Sequence, residues 1–247
     1  MSDDPRLIRE EVERLSDRLR LLSEEFQNFA YVVSHDLKEP LRSLNNSVQL
    51  LERLCGDGLE PKARQCIRFA TEATTRLYRL LDGLVAYSSA ARGAEVREDV
   101  SFEALLRDVL SASRLAISES GAVVTQGKLP QAHGVRAQLF QVLYHLLNNA
   151  IRYRSERPLV IYVEGKKAGS EIRFSVADNG QGIDPKQFDR IFGIFQRAAP
   201  PSEDASGIGL AICRTVIQQH GGRIWVESEP SQGATFFFTL PAMEGET

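Results

Sequence analysis

Apolar residues recur near the start of the chain at Ile8, Val12, Leu15, Leu19, Leu22, Phe26, Phe29 and Val33, in steps alternating four and three. This spacing keeps an apolar seam on one side of a helix and predicts a coiled coil. A monomer has no use for such a seam, so a homodimer is the first inference. Leu37, Leu41, Leu44, Val48 and Leu51 follow, and two extra steps of four shift the phase as a stutter does. The segment "CGDGLEP" (55–61) reads as a turn, with Pro61 suited to the first turn of a second helix. That helix carries Ala63, Ile67, Ala70, Thr74, Leu77, Leu81 and Leu84. Two antiparallel helices, doubled by dimerisation, make a four-helix bundle.

Within the first helix lies "YVVSHDLKEPLRSL" (31–44). Val33 and Leu37 are expected to face the core. His35 is two residues from each and projects roughly 200° away from both, onto the outer face. Glu39 shares that face, and Pro40 is expected to kink the helix. The other histidines, His133, His145 and His220, form no ligand spacing with His35. An imidazole beside Asp36 has two readings. It is either part of a solvated polar face, or a nucleophile whose tautomer Asp36 fixes by holding one ring N–H.

Past "SSAARGAEVRED" (88–99) the pattern changes. A helix at 101–118, a strand at 121–126, a helix at 135–154, strands at 159–165 and 171–178, a helix at 208–220 and strands at 223–229 and 234–240 are expected. This alternation predicts an α/β layer with helices on one face of a sheet. In "EIRFSVADNGQGID" (171–184), Asp178 shares the buried face of its strand with Ile172, Phe174 and Val176. A buried carboxylate needs a donor, and the exocyclic amine of adenine is one; an ordinary turn with an Asp cap is the alternative. Gly180 and Gly182 let the backbone turn tightly and approach a ligand. In "HLLNNAIRYR" (145–154), His145, Asn149 and Arg152 form a polar stripe beside an apolar one. Asn149 offers an oxygen suited to Mg²⁺ and Arg152 a phosphate contact; a solvated flank of a core helix is the alternative, and the stripe alone favours it. The segment "SGIGLAICRTVIQQHGG" (206–222) opens a helix with glycines, where free N–H groups favour phosphate. No GK[ST] follows, which excludes a Walker A loop. The polar "GIFQRAAPPSEDAS" (193–206) reads as a lid over a ligand.

The net charge of −3 argues against a nucleic-acid binder. No apolar run reaches membrane-spanning length, and "MSDDPRLIRE" lacks the apolar core of a signal peptide. Three cysteines without metal-site spacing point to a cytoplasmic chain.

In their order these segments resemble the catalytic core of a bacterial two-component sensor histidine kinase. "SHDLKEPLR" resembles the phosphoacceptor box, "HLLNNAIRY" the N box, "DNGQG" the first G box, "FDRIFGIFQR" the F box and "SGIGLAI" the second G box. "FAYVVSHDLKEPL" and "NAIRYRSERP" are most similar to the phytochrome-type branch. The resemblance implies a dimeric helical hairpin followed by a Bergerat-type ATP-binding α/β sandwich. The boundaries expected are a coiled-coil signalling helix at 1–30, a dimerisation and histidine-phosphotransfer domain at 31–92 and a catalytic domain at 93–247. It also implies autophosphorylation of His35 by Mg-ATP, then transfer to an aspartate of a response regulator. Asp36 would orient His35 and Asn149 would hold Mg²⁺. Arg152 and Tyr153 would lie near the nucleotide, and Asp178, Gly180 and Gly182 would take the adenine. Gly207 and Gly209 would flank the phosphates, with Arg197 at the γ-phosphate. Input would come from an upstream sensor domain or a separate sensor protein. Three departures stand out. His145 replaces the usual Asn or carboxylate, and Ala205 replaces the first glycine of the second G box. Glu39 stands where phosphatase-competent members carry Thr or Asn, which predicts a kinase-biased protein. A non-catalytic phosphotransfer scaffold and a gyrase-type ATPase are the rival readings; His35 on a helical hairpin speaks against the second.

Overall fold

The structure, a computed structural model, describes residues 5–55, 58–90, 96–196 and 207–242. The chain forms two compact units, Met1–Ala91 and Arg92–Thr247. The first is a helical hairpin of α1 (Pro5–Cys55) and α2 (Pro61–Ala90). Pro61 opens α2, where its missing N–H costs nothing. Helix α1 runs on through Pro40. Its face towards α2 is made by positions 30, 34, 38, 41, 45 and 48, with Ala30, Ser34 and Val48 buried. Helix α2 answers with buried Thr74, Leu81 and Ser88. Small residues near one end of this contact allow the two backbones to approach.

Leu37 does not face α2; it is 45% exposed, and Leu44 and Leu51 are exposed at 50% and 53%, while Ser34 is fully buried. These leucines recur every seven residues on a flank beside the α2 contact, which a single hairpin leaves uncovered. Val12, Leu15, Leu22, Phe26 and Phe29 of the upstream seam are exposed in the same way.

The second unit is an α/β layer. Its elements are β1 (Glu98–Ser101), α3 (Phe102–Ala112), α4 (Arg114–Ser120), β2 (Val123–Gln126), β3 (Gln131–Gly134), α5 (Arg136–Arg152), β4 (Val160–Ala168), β5 (Glu171–Asp178), α6 (Gly209–Gln219), β6 (Ile224–Glu229) and β7 (Gly233–Pro241). Five strands form one sheet in the order β2-β4-β5-β7-β6, with β2 and β4 parallel and the other pairs antiparallel. The inner face alternates as a half-buried strand must: Ile161 and Val163, Ile172, Phe174 and Val176, then Phe236, Phe238 and Leu240. The Phe174 ring stacks between Phe102 of α3 at 3.9 Å and Phe238 at 5.1 Å, so the core closes beneath the middle strands. Leu143, Leu146, Leu147 and Ala150 of α5, with Ile212, Val216 and Ile217 of α6, complete it.

The helix expected at 101–118 is broken. Ser113 closes α3 and precedes α4, which ends on left-handed Gly121. The pairing of β1 with β3 was not foreseen: "QAHG" is too short and polar for its alternation to stand out in sequence.

Candidate active site

His35 stands on the outer face of α1, its side chain 73% exposed beside Asp36 at 72%. The two side chains meet at 3.1 Å between Nδ1 and Oδ1. With Nδ1 protonated, this contact leaves the Nε2 lone pair facing solvent. One turn on, Lys38 is held twice by α2. Its Nζ lies 2.6 Å from Asp82 Oδ1, and its carbonyl accepts a bond from the Tyr78 hydroxyl at 3.1 Å. The backbone next to Pro40 is thereby tied down from the opposite helix.

In the second unit, the end of β5 carries Asp178 opposite Ile161, on the inner face of the sheet. Its Oδ1 accepts from the amides of Gly180 at 2.8 Å and Ala234 at 3.3 Å. Its Oδ2 has no hydrogen-bond partner among the described residues. Burial raises the carboxyl pKa, and the two amide bonds oppose that rise. The turn that follows is packed backbone against backbone. A Cβ on Gly180 would lie 2.5 Å from the Tyr153 carbonyl oxygen. Gly182 has φ +71°, and a Cβ there would fall 2.0 Å from the Glu229 carbonyl oxygen. No other residue fits either position.

Helix α5 delivers the polar stripe. The side chains of His145 and Asn149, one turn apart, make no hydrogen bond among the described residues, whereas Asn148 Nδ2 bonds back to the Tyr144 carbonyl at 2.8 Å. His145 lies against the start of α6: a Cβ on Gly209 would sit 3.0 Å from its Nδ1. Burial, and secondarily the charge of Arg152, lowers the His145 pKa to about 4, so the ring is neutral near pH 7. Helix α6 opens at Gly209 behind Ile208 with no side-chain cap, leaving its first N–H groups available. Gly207 packs against Phe195 and Gln196, with left-handed φ of +71° at Gly207 and +60° at Phe195. Arg152, Arg154, Ser155, Glu156 and Gln181 line an open cleft of about 520 Å³.

The fold thus gathers Asp178, Gly180 and Gly182 with Tyr153, whose carbonyl accepts from the Gln181 amide at 2.9 Å. It separately brings His145 beside Gly209, with Asn149 one turn further along α5. His35 and Asp36 belong to the other unit. Arg197, Ala205 and most of the expected lid lie outside the described residues. Sequence reasoning missed the tip of the β6–β7 hairpin, which supplies the Ala234 amide to Asp178. A lone Gly233 before a strand carries no such signal.

Among the described residues, no helix is long and apolar enough to cross a membrane. Residues 25–93 match the His Kinase A (phospho-acceptor) domain, and residues 134–244 match the histidine kinase-, DNA gyrase B- and HSP90-like ATPase family. Cyanobacterial phytochrome A of Nostoc sp. is 42% identical over 233 residues, covering 94% of this chain and 30% of the relative. The phytochrome-like protein Cph1 of Synechocystis sp. is 35% identical, covering 94% and 31%. The chain therefore spans about three-tenths of the length of these relatives. Among solved structures, full-length ShkA in complex with AMPPNP superposes with a TM-score of 0.65 at 26% identity, covering 87% of this chain and 46% of that one. The nucleotide-free catalytic domain of ThkA gives 0.51 at 26% identity, covering 60% and 97%. A phosphoacceptor hairpin followed by an ATP-binding sandwich, matched in sequence and in fold, makes this chain a member of the sensor histidine kinases, similar to their phytochrome-type branch.

Proposed function

We propose that this chain is the ATP-dependent kinase core of a two-component pathway, phosphorylating itself on His35 and passing the phosphoryl group to an aspartate of a response regulator receiver domain. One observation carries the reading: an exposed imidazole oriented by Asp36 shares a chain with an ATPase-family sandwich whose Asp178 keeps one carboxylate oxygen unused. Asp36 holds Nδ1–H, so Nε2 attacks the γ-phosphorus while the bond to the bridging oxygen of ADP breaks. Asp36 then stabilises the charge that develops on the ring.

Asp178 Oδ2 accepts from the adenine amine, with Gly180 and Gly182 keeping the ring edge free of side chains and Tyr153 beside it. Arg152 and Arg197 neutralise phosphate charge, and Gly207 and Gly209 open the α6 N–H groups to the phosphates. Among the described residues no group of three His, Cys, Asp or Glu is placed to hold a metal by itself. The unpartnered Asn149 amide suits a hard cation that takes its remaining ligands from phosphate oxygens and water, as Mg²⁺ does. Mg²⁺ would supply charge neutralisation on the phosphates; the chain supplies position. The exposed leucine flank of α1 is the surface of a homodimeric four-helix bundle. An upstream sensor domain or a separate sensor protein reaches His35 through residues 1–30, ahead of a phosphotransfer domain at 31–92 and a catalytic domain at 93–247, in the cytoplasm.

Incubating the purified chain with γ-labelled ATP and Mg²⁺, beside His35→Gln, tests this. An acid-labile, alkali-stable label that disappears in the variant is expected. A chain that binds ATP without labelling on His35 removes the kinase reading, and one that binds no ATP moves it to a scaffold.

A further inference from the structure

Residues 153–158 leave α5 and cross to β4 beside the Asp178 turn, and hydrogen bonds join the two along their whole length. The Gln181 amide donates to the Tyr153 carbonyl at 2.9 Å, and Gln181 Nε2 to the Arg154 carbonyl at 3.1 Å. Asn179 is used at both ends of its amide: Nδ2 donates to the Pro158 carbonyl at 2.8 Å, and Oδ1 accepts from the Val160 amide at 2.9 Å. Arg157 adds a third strand to this weave. Its Nη2 donates to the Asn179 carbonyl at 3.1 Å and to the Ser231 carbonyl at 2.8 Å. Ser155 supports it by donating to the same Asn179 carbonyl at 3.3 Å and accepting from the Arg157 amide at 3.3 Å.

Ser231 is the tip of the β6–β7 hairpin. It holds φ +66°, and its amide donates to the Gln181 carbonyl at 2.6 Å. Two residues further on, Gly233 packs its α-carbon against the Asp178 carbonyl, and Ala234 donates to Asp178 Oδ1. Arg157 therefore joins the residue directly after Asp178 to the hairpin that supplies one of the two amides holding Asp178. Both bonds leave the one Nη2 nitrogen, whose two hydrogens lie in the guanidinium plane at fixed angles, so a single rigid donor group bridges two carbonyls.

We propose that Arg157 is a positioning residue for nucleotide recognition: it fixes the Asp178 carboxylate for adenine by clamping the 179–181 turn to the 230–233 hairpin tip. The inference rests on the nucleotide-site reading above. Arg157 is itself exposed, so its two carbonyl bonds are stabilising at the level of an ordinary charged hydrogen bond and not of a core contact.

The test uses the full chain with Arg157→Met and Arg157→Lys, measuring ATP affinity by titration calorimetry, the autophosphorylation rate at saturating ATP, and thermal unfolding. Arg157→Met is expected to weaken ATP binding by about five- to tenfold, the scale of losing one ordinary hydrogen bond at an exposed site. Arg157→Lys should fall between it and the parent. The rate at saturating ATP should stay at the parent value, because the groups around His35 and the phosphates are untouched, and the unfolding midpoint should fall by no more than the loss of an exposed hydrogen bond accounts for. Unchanged affinity in Arg157→Met, with the parent binding ATP normally, overturns the proposal. So does a joint fall in affinity, saturating rate and unfolding midpoint, which would make Arg157 a prop for the fold alone. A parent chain that binds no ATP removes the nucleotide reading and this inference with it, and that outcome is distinct from both.

Discussion

Asp178 and His145 are half-buried groups whose surroundings disfavour their charged forms, and each has a measurable consequence. Asp178→Asn keeps an oxygen for the Gly180 and Ala234 amides and removes the acceptor that an adenine amine requires. ATP affinity is expected to fall about a hundredfold by calorimetry, within the cost of an unpaired polar group in a recognition site. The unfolding midpoint should not fall, since burial already opposes the charge that the substitution removes. His145 works in the opposite sense. Its folded pKa lies near 4 against an ordinary 6.5, so the unfolded chain takes up this proton first as pH falls. The contribution to stability is complete above pH 6.5 and is lost progressively between 6.5 and 4, reaching about 3 kcal/mol. Denaturant titrations across that window should show the slope, and His145→Asn should flatten it. Asp178 was legible from strand alternation alone, because a carboxylate in phase with Ile172, Phe174 and Val176 has to sit on the inner face. The Arg157 clamp was not legible: its acceptors are main-chain carbonyls up to 74 residues away, and carbonyls carry no mark in a sequence.

At the scale of elements, the hairpin tip tests how tightly the turn beside Asp178 is built. Gly233 has φ +93°, and a Cβ there would fall 2.0 Å from the Asp178 carbonyl oxygen; Gly169 has φ +65° and open space around it. Gly233→Ala should cost about 3 kcal/mol by denaturant unfolding, adding a backbone clash to the left-handed penalty, while Gly169→Ala costs about 1. The long helices and inner strands were legible because their periods repeat over several turns or residues. The break at Ser113 was not: an apolar pattern continues across it, and only the capping geometry shows that α3 has ended. Which residues of α1 meet α2 was not legible for a related reason. Helical phase places residues relative to one another but does not say which flank meets α2 and which meets a second hairpin. Leu37→Lys with Leu44→Lys should leave the hairpin folded and shift sedimentation from dimer to monomer, since both side chains lie on the flank α2 leaves open.

At the scale of the whole molecule, α1 is a single rod from Pro5 to Cys55 that carries the apolar seam and His35 on the same set of hydrogen bonds. At 1.5 Å per residue it is about 75 Å long. A rod without a joint between residue 12 and residue 35 passes on rotation as well as displacement. Each residue inserted upstream turns the incoming end by about 100° and lifts it about 1.5 Å, while a seven-residue insertion restores the seam to register. Grafting one input module onto α1 through spacers of increasing length should therefore give kinase output that rises and falls with a period of seven residues. The helix acts as a camshaft, and spacer length sets its timing.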